Sequence, residues 1–285
     1  MSRRQITAAT TGRLDRILAN SSPDYSRTNW QRLIKQGRVK VGRTNVTDPA
    51  AKVRAQAKIT ADLPELTPPA QPVPIIYKDQ SVIAFDKPAG LLTHAKGQLA
   101  AEWTLADEAR PFVEFEDDNR AGIVHRLDRL TSGVIILART VAVKQRMQRL
   151  FASRRVSKSY VALVGGHLGQ AELVIDLPIG RHTGQPAKFA IRPDGKAAVT
   201  GVKLIKAYSA ASLIRLRPQT GRTHQLRVHL TRIGHPIIGD PLYGGAKASR
   251  LMLHAERLKF SLGGRDYDLK SPIPADFSVE LNRWT

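Results

Sequence analysis

The sequence predicts an α+β protein, a mixed and largely antiparallel sheet flanked by helices, with a small basic α/β domain in front of it. Three observations carry this. Segments of strand period and segments of helix period follow one another without the regular alternation of βαβ units. The first 60 of the 285 residues hold 13 of the 45 Lys and Arg but only 3 of the 24 acids. The stretch LPELTPPAQPVP, with five prolines between Leu63 and Pro74, can form neither a helix interior nor a central strand and reads as a stiff, extended linker. The expected organisation is a domain at 1–62, a linker at 63–74 and a second domain at 75–285. No internal repeat or low-complexity tract is found.

In the basic domain, Leu14, Ile17 and Leu18 share one helical face. Thr28 and Gln31 form a capping-box pattern that opens a second helix, with Trp30, Leu33 and Ile34 on its apolar side and Gly37 at its end. RVKV alternates as a short strand, and AKIT supplies another beyond a turn at Asp48-Pro49. This order of basic helical hairpin and short strands resembles the S4 RNA-binding domain of ribosomal and RNA-modifying proteins. The resemblance implies a basic face for RNA built from Arg13, Arg16, Arg27, Arg32 and Lys35. That family usually turns on Asn-Gly after the first of these strands, where this chain has VGRTN.

Beyond the linker, IIYKDQSVIAFDKPAGLLTH reads as two strands joined at Lys78-Asp79-Gln80 and stopped by Lys87-Pro88-Ala89-Gly90. The wholly apolar run Val134 to Ala138 is a buried strand. Val143, Met147, Leu150 and Phe151 mark an amphipathic helix over Val141 to Ser153. KSYVALV is a strand with Lys158 and Tyr160 on one face. A hairpin is expected in KFAIRPDGKAAVTGVKLI, turning at Pro193-Asp194-Gly195. SLIRLRP is a further strand, and QTGRTH leads into a helix that buries Leu226, Leu230 and Ile233 before Gly234 and Pro236 stop it.

The formal charge of +21 far exceeds what solubility requires and points to a polyanionic partner. Nucleic acid is favoured over a membrane surface, because every apolar run is much shorter than the roughly 18 residues that span a bilayer. The absence of cysteine excludes disulfides, thiolate metal sites and cysteine nucleophiles. The start MSRRQITAATTGRLD lacks the apolar core of a secretory signal, so a cytoplasmic address is expected. His224, His229 and His235 do not have the spacing of a zinc site, and no metal is expected. No Walker loop, dinucleotide fingerprint or Gly-x-Ser-x-Gly elbow occurs.

The stretch GIVHRLDRLTSGVIILART places one acid, Asp128, on a turn just outside the buried strand, among His125, Arg126 and Arg129. Such a position combines rigid support with access to a substrate. The neighbouring arginines favour the ionised carboxylate, which suits a nucleophile better than a general acid. On local chemistry alone the reading ahead is a structural one, an aspartate in a surface ion pair or one bonding Thr131 or Ser132 at a turn.

HRLDRLTSGVIILA resembles the signature of the RluA family of pseudouridine synthases, and DKPAGLLTH, KSYVALV, GKAAVTGVKLI and RPQTGRTHQLRVHLTRIGHPIIGDPLYG follow that family's order. The least typical part is Ala95 to Gly122. The resemblance implies isomerisation of uridine to pseudouridine within RNA by an enzyme that needs no cofactor and no metal. Asp128 would be the essential nucleophile, attacking the ribose or the uracil ring or assisting a glycal intermediate. Arg126 would clamp the RNA displaced when the target base flips out. Tyr160 would stack on the flipped uracil near the proton leaving carbon five, and Leu226 would wall the pocket. Arg222 would pair with Asp128, holding it ionised and oriented. His125 and His224 read as structural or RNA-positioning groups, and Lys87 to Gly90 as a turn supporting the site.

The S4-like domain implies large-subunit ribosomal RNA as substrate, with transfer RNA as the alternative, and a monomer is expected. A rival from another class is an RNA-binding or ribosome-assembly protein that keeps this fold without catalysis, against which Asp128, Tyr160 and Arg222 argue. A nucleobase deaminase also flips bases but needs cysteine-held zinc, which this chain cannot supply.

Overall fold

The computed structural model describes residues 2–21, 27–63, 71–94, 102–114 and 122–284. The chain divides into two compact units, Met1–Pro72 with His94–Glu108, and Val73–Thr93 with Ala109–Thr285. Most of the proline-rich stretch and much of Ala95 to Gly122 lie outside the described residues.

The first unit contains β1 (Ser2–Thr7), β2 (Gly12–Arg13), α1 (Leu14–Ser21), α2 (Arg27–Lys35), β3 (Val39–Val41), β4 (Thr44–Asn45), β5 (Lys52–Val53) and β6 (Lys58–Leu63). Its main sheet runs β1-β6-β3-β4, with all three pairings antiparallel. The faces read from helical period meet in one core: Leu14, Ile17, Leu18, Trp30, Leu33 and Ile34 are all buried, with Val39 and Ile59 from the sheet. β1 has no counterpart in the sequence reading, because Ile6 alone marks its apolar side. The β3–β4 hairpin turns on Gly42-Arg43, with φ of +61° at Gly42 only, the pattern of a type II′ turn rather than the Asn-Gly type. Gln31 does not cap α2: its amide donates to Asp15 Oδ2 at 2.7 Å.

The element α3 (Leu105–Ala109) belongs, but for Ala109, to the first unit. The second unit contains β7 (Ile75–Lys78), β8 (Val82–Lys87), β9 (Ser132–Ala138), α4 (Val141–Ala152), β10 (Ser157–Gly165), β11 (Glu172–Asp176), β12 (Ile179–Arg181), β13 (Phe189–Ile191), β14 (Val199–Ala207), β15 (Ala211–Pro218), α5 (Gln225–Arg232), β16 (Leu253–Leu262), β17 (Arg265–Lys270) and α6 (Ala275–Leu281). A nine-stranded sheet runs β11-β14-β15-β10-β16-β9-β8-β7, with β17 on β16. Only β9 against β16 is parallel. The sheet is therefore mixed and largely antiparallel, flanked by few helices.

β9 is buried along its whole length, which is why its sequence is a continuous apolar run rather than an alternation. Each such Ile or Leu side chain contributes about 1.5–3 kcal/mol on burial. Gly133 lets β9 approach β16: its φ is +116°, and a Cβ there would lie 2.3 Å from Ala255 O. One expectation fails. β13 does not form a hairpin with β14 across Pro193-Asp194-Gly195; it pairs with β12, because the turn folds back until Lys196 bridges Ile179. Among the described residues, no helix is long and apolar enough to cross a membrane.

Candidate active site

Asp128 sits in the segment that leads into β9, and that segment is held from both ends. On one side, His125 Nε2 accepts the Ile136 N–H at 3.1 Å while its ring stacks on Phe151, with centroids 4.9 Å apart. Burial, aided by the Lys158 ammonium, pushes His125 down to about 3, so the ring stays neutral and keeps its acceptor. In the middle, Thr93 Oγ1 donates to Leu127 O at 2.8 Å. On the other side, Arg129 O accepts from Gly90 N at 2.8 Å and from Lys87 Nζ at 3.2 Å, and Thr131 N donates to Asp128 O at 3.1 Å. Lys87 is fully buried, and its three N–H groups also reach Pro88 O and Leu91 O, so the DKPAG turn grips the Asp128 segment. The hydroxyls of Thr131 and Ser132 are not partners of the Asp128 carboxylate; the turn is closed by its backbone carbonyl.

The carboxylate faces a cavity of about 470 Å³, a size suited to a small polar ligand. Its basic neighbours come from α5 and the residue before it. His224 Nε2 lies 3.9 Å from Asp128 Oδ2, and Arg227 Nη1 lies 4.0 Å from the same oxygen. Arg227 is buried and rigid, because its other nitrogens fork onto Asp240 at 2.7 and 2.8 Å and its guanidinium stands over the Tyr243 ring at 4.9 Å. Burial opposes ionisation of Asp240, yet the Arg227 fork and the amides of Leu242 and Tyr243 outweigh it and hold this carboxyl below its ordinary range. Lys158 Nζ, on the same cavity, donates to Thr220 O at 2.9 Å and is pushed down to about 8 by burial. Tyr160 is half-buried there, and burial together with the Asp128 charge raises its phenol well above the usual value. A carboxylate beside the held Arg227 guanidinium and the His224 ring, on one cavity with a protonated phenol, is equipped for attack on a neutral heterocycle or sugar and for steering a proton.

A family model described as RNA pseudouridylate synthase matches residues 81–232, more than half of the chain. The chain belongs to that family. A model of the S4 domain matches residues 12–59. Among relatives of this synthase, "Ribosomal large subunit pseudouridine synthase D" of Escherichia coli (strain K12) is 35% identical over 94% of this chain and 89% of that protein. An "Uncharacterized RNA pseudouridine synthase" of Aquifex aeolicus (strain VF5) is 35% identical over 83% of this chain and 78% of its own. The structure of human RNA Pseudouridylate Synthase Domain Containing 1 matches with a TM-score of 0.61 and 26% identity, covering 77% of this chain and 98% of that one. The protein is an RNA pseudouridine synthase, and isomerisation of uridine in RNA is its reaction.

In this synthase the cavity brings together Asp128, Tyr160, Arg126, Leu226, His125 and Arg222. The expected pairing of Arg222 with Asp128 is corrected: Arg222 Nε donates to Ala197 O at 3.0 Å, and the arginine that faces the carboxylate is Arg227. Arg222 lies ahead of α5, in a turn directed toward Ala197, whereas Arg227 is in the helix's first turns and points inward. A signal for it existed. Arg227 lies three residues from the buried Leu230, and a charge on the buried side of a helix requires a partner. Lys158 and Tyr243 were also not singled out by sequence. In the S4 unit, Arg13 and Arg27 both bind the fully buried Asp15, at 3.1 and 3.0 Å; Arg13 does so from β2, and Arg27 with Gln31 ties α2 to α1. The Arg13 hydrogen bond, ahead of the other contacts, holds the Asp15 carboxyl far below its usual range. Both arginines are thus structural as well as half-exposed, while Arg16, Arg32 and Lys35 are exposed on the helices.

Proposed function

We propose that the cavity receives a uridine flipped out of large-subunit ribosomal RNA and that Asp128 is its nucleophile. The observation that carries the reading is the carboxylate of Asp128 at the cavity, beside the buried Arg227 and on the same cavity as Tyr160. The reaction breaks the bond from ribose C1′ to N1, turns the base and joins C1′ to carbon five; carbon five loses its proton and N1 gains one, so product and substrate are isomers. Attack on the ribose, attack on the uracil ring and assistance of a glycal all need an anion at the junction of sugar and base. The Arg227 guanidinium lies 4.0 Å and the His224 ring 3.9 Å from the Asp128 carboxylate. Tyr160, kept protonated, offers the uracil a ring face, and Leu226 closes the apolar wall. Arg126 is exposed at the cavity and carries no ion pair among the described residues, which suits a clamp on the displaced backbone.

The RNA reading draws support from charge placement. From Arg129 to Ala171 the chain has eight Lys and Arg and no acid. Elsewhere on this unit several surface arginines pair with carboxylates, as in Arg192–Asp194, Arg257–Asp268 and Arg265–Asp79. Arg146, Arg149 and Arg154 have no such partner among the described residues, and Arg154 reaches the cavity. Ribosomal RNA is favoured by the S4 match and by the substrate in the relatives' names. The reading includes a monomer acting in the cytoplasm. Its test is pseudouridine mapping of total RNA from cells lacking the gene and from cells carrying Asp128→Asn. Loss of ribosomal pseudouridine in both is expected. Loss confined to transfer RNA overturns the substrate, and activity surviving in Asp128→Asn overturns the nucleophile.

A further inference from the structure

His224 opens α5 in the left-handed region, at φ of 57°, a conformation that costs a non-glycine residue energy and is kept where the surroundings require it. Its ring lies between two groups. Nδ1 is 2.9 Å from Tyr243 Oη, and Nε2 is 3.9 Å from Asp128 Oδ2. Tyr243 Oη in turn accepts the Phe189 N–H at 2.9 Å. An amide N–H can only donate, so one lone pair of Oη is used there and the phenol proton is left for His224 Nδ1. Burial is the foremost influence on the Tyr243 phenol, which lies above its ordinary value and keeps that proton. When Nδ1 accepts, the single ring proton of neutral His224 must sit on Nε2, the nitrogen that faces Asp128.

We propose that Tyr243 and His224 are a positioning pair, in which Tyr243 fixes the tautomer of His224 and His224 presents its Nε2–H to the Asp128 carboxylate. This rests on the assignment of Asp128 as nucleophile. The pair gives the carboxylate a neutral donor distinct from Arg227, close enough that a small side-chain adjustment makes the hydrogen bond. It also joins the site to the β12–β13 hairpin, since Phe189 begins β13 and its ring meets the His224 ring edge-on at 5.6 Å. The seat of that hairpin, whose connecting residues 182–188 are largely exposed, then sets the orientation of the donor.

The test uses the full-length protein. Nitrogen-15 histidine NMR on the free enzyme, with His224 assigned by its loss in His224→Gln, is expected to show Nδ1 unprotonated and Nε2 protonated when the ring is neutral. Tyr243→Phe keeps the ring beneath Arg227 and removes only the hydroxyl; it should let part of the His224 rings carry the proton on Nδ1 and lower turnover at saturating RNA by about that share, with RNA affinity retained, whereas His224→Ala removes the donor to a charged group and should lower turnover about 10- to 100-fold. His224→Gln, which keeps an N–H near the Nε2 position, should retain more turnover than His224→Ala. A proton on Nδ1 in the wild type overturns the proposal, as does wild-type turnover in Tyr243→Phe or equal turnover in the Gln and Ala variants. A wild-type protein that forms no pseudouridine refutes instead the function on which it rests, and the NMR result stands apart from that failure.

Discussion

Acid should loosen the segment that carries Asp128 through one histidine. His125 is held neutral by burial, at about 3 against an ordinary 6.5, and its Nε2 accepts the Ile136 N–H. Below about pH 6.5 the unfolded chain binds a proton at this residue and the folded chain does not, so stability falls as pH falls. The loss runs at about 1.4 kcal/mol per pH unit, or ~2 kcal/mol between pH 6.5 and 5. This is an upper figure, since one edge of the ring meets the cavity. His125→Phe keeps the stack on Phe151 but leaves the Ile136 amide unpaired, costing about 1–3 kcal/mol at every pH. The variant should therefore be the less stable protein at pH 6.5, and the gap should close by ~2 kcal/mol at pH 5. Urea-dependent hydrogen exchange of β9 peptides, read by mass spectrometry at both pH values, measures the difference directly. His229 and His254 are also pushed down by burial, but they titrate in both proteins and cancel. An equal pH dependence in wild type and variant would refute the reasoning.

Three further perturbations test other parts of the structure. Asp240→Asn breaks the fork on a buried arginine and should cost about 3–5 kcal/mol in denaturant unfolding; turnover should fall with it, and a variant with wild-type stability would show that Arg227 finds another partner. Gly133→Ala places a methyl 2.3 Å from Ala255 O at a φ of +116°, so the full chain should accumulate as insoluble or partly unfolded protein; a soluble variant with intact β9 protection contradicts the close approach. Arg146→Gln combined with Arg149→Gln should lower the slope of log affinity against log salt by about 1.4, taking roughly 0.7 per phosphate on single-stranded RNA. Fluorescence anisotropy at several salt concentrations reads that slope, and an unchanged slope removes these arginines from the RNA path.

What could be read from sequence, and what could not, follows from how far each feature reaches along the chain. The run Val134 to Ala138 announces a strand because both its faces are covered, and that burial is written in consecutive residues. Asp128 is legible by position, a few residues ahead of that strand. Its electrostatics are not, because they arise about one hundred residues away, at α5. Helical period reveals one buried stripe there, through Leu226 and Leu230, yet Gln225, Arg227, Val228 and His229 are buried as well. Each polar member finds a partner that no period can indicate: Gln225 meets Val199 O, His229 meets Leu177 O, and Arg227 meets Asp240. A helix enclosed on all sides looks amphipathic in sequence only if its polar residues are assumed to face water. That assumption gives Arg227 no role, and the family resemblance points to Arg222, in the turn, instead. The same reasoning explains β13, whose partner is chosen by how the Pro193-Asp194-Gly195 turn folds back on Ile179 and not by the turn residues themselves. Short motifs thus specify which chemical groups are present, whereas the face that a buried helix turns toward Asp128 decides which of them act together.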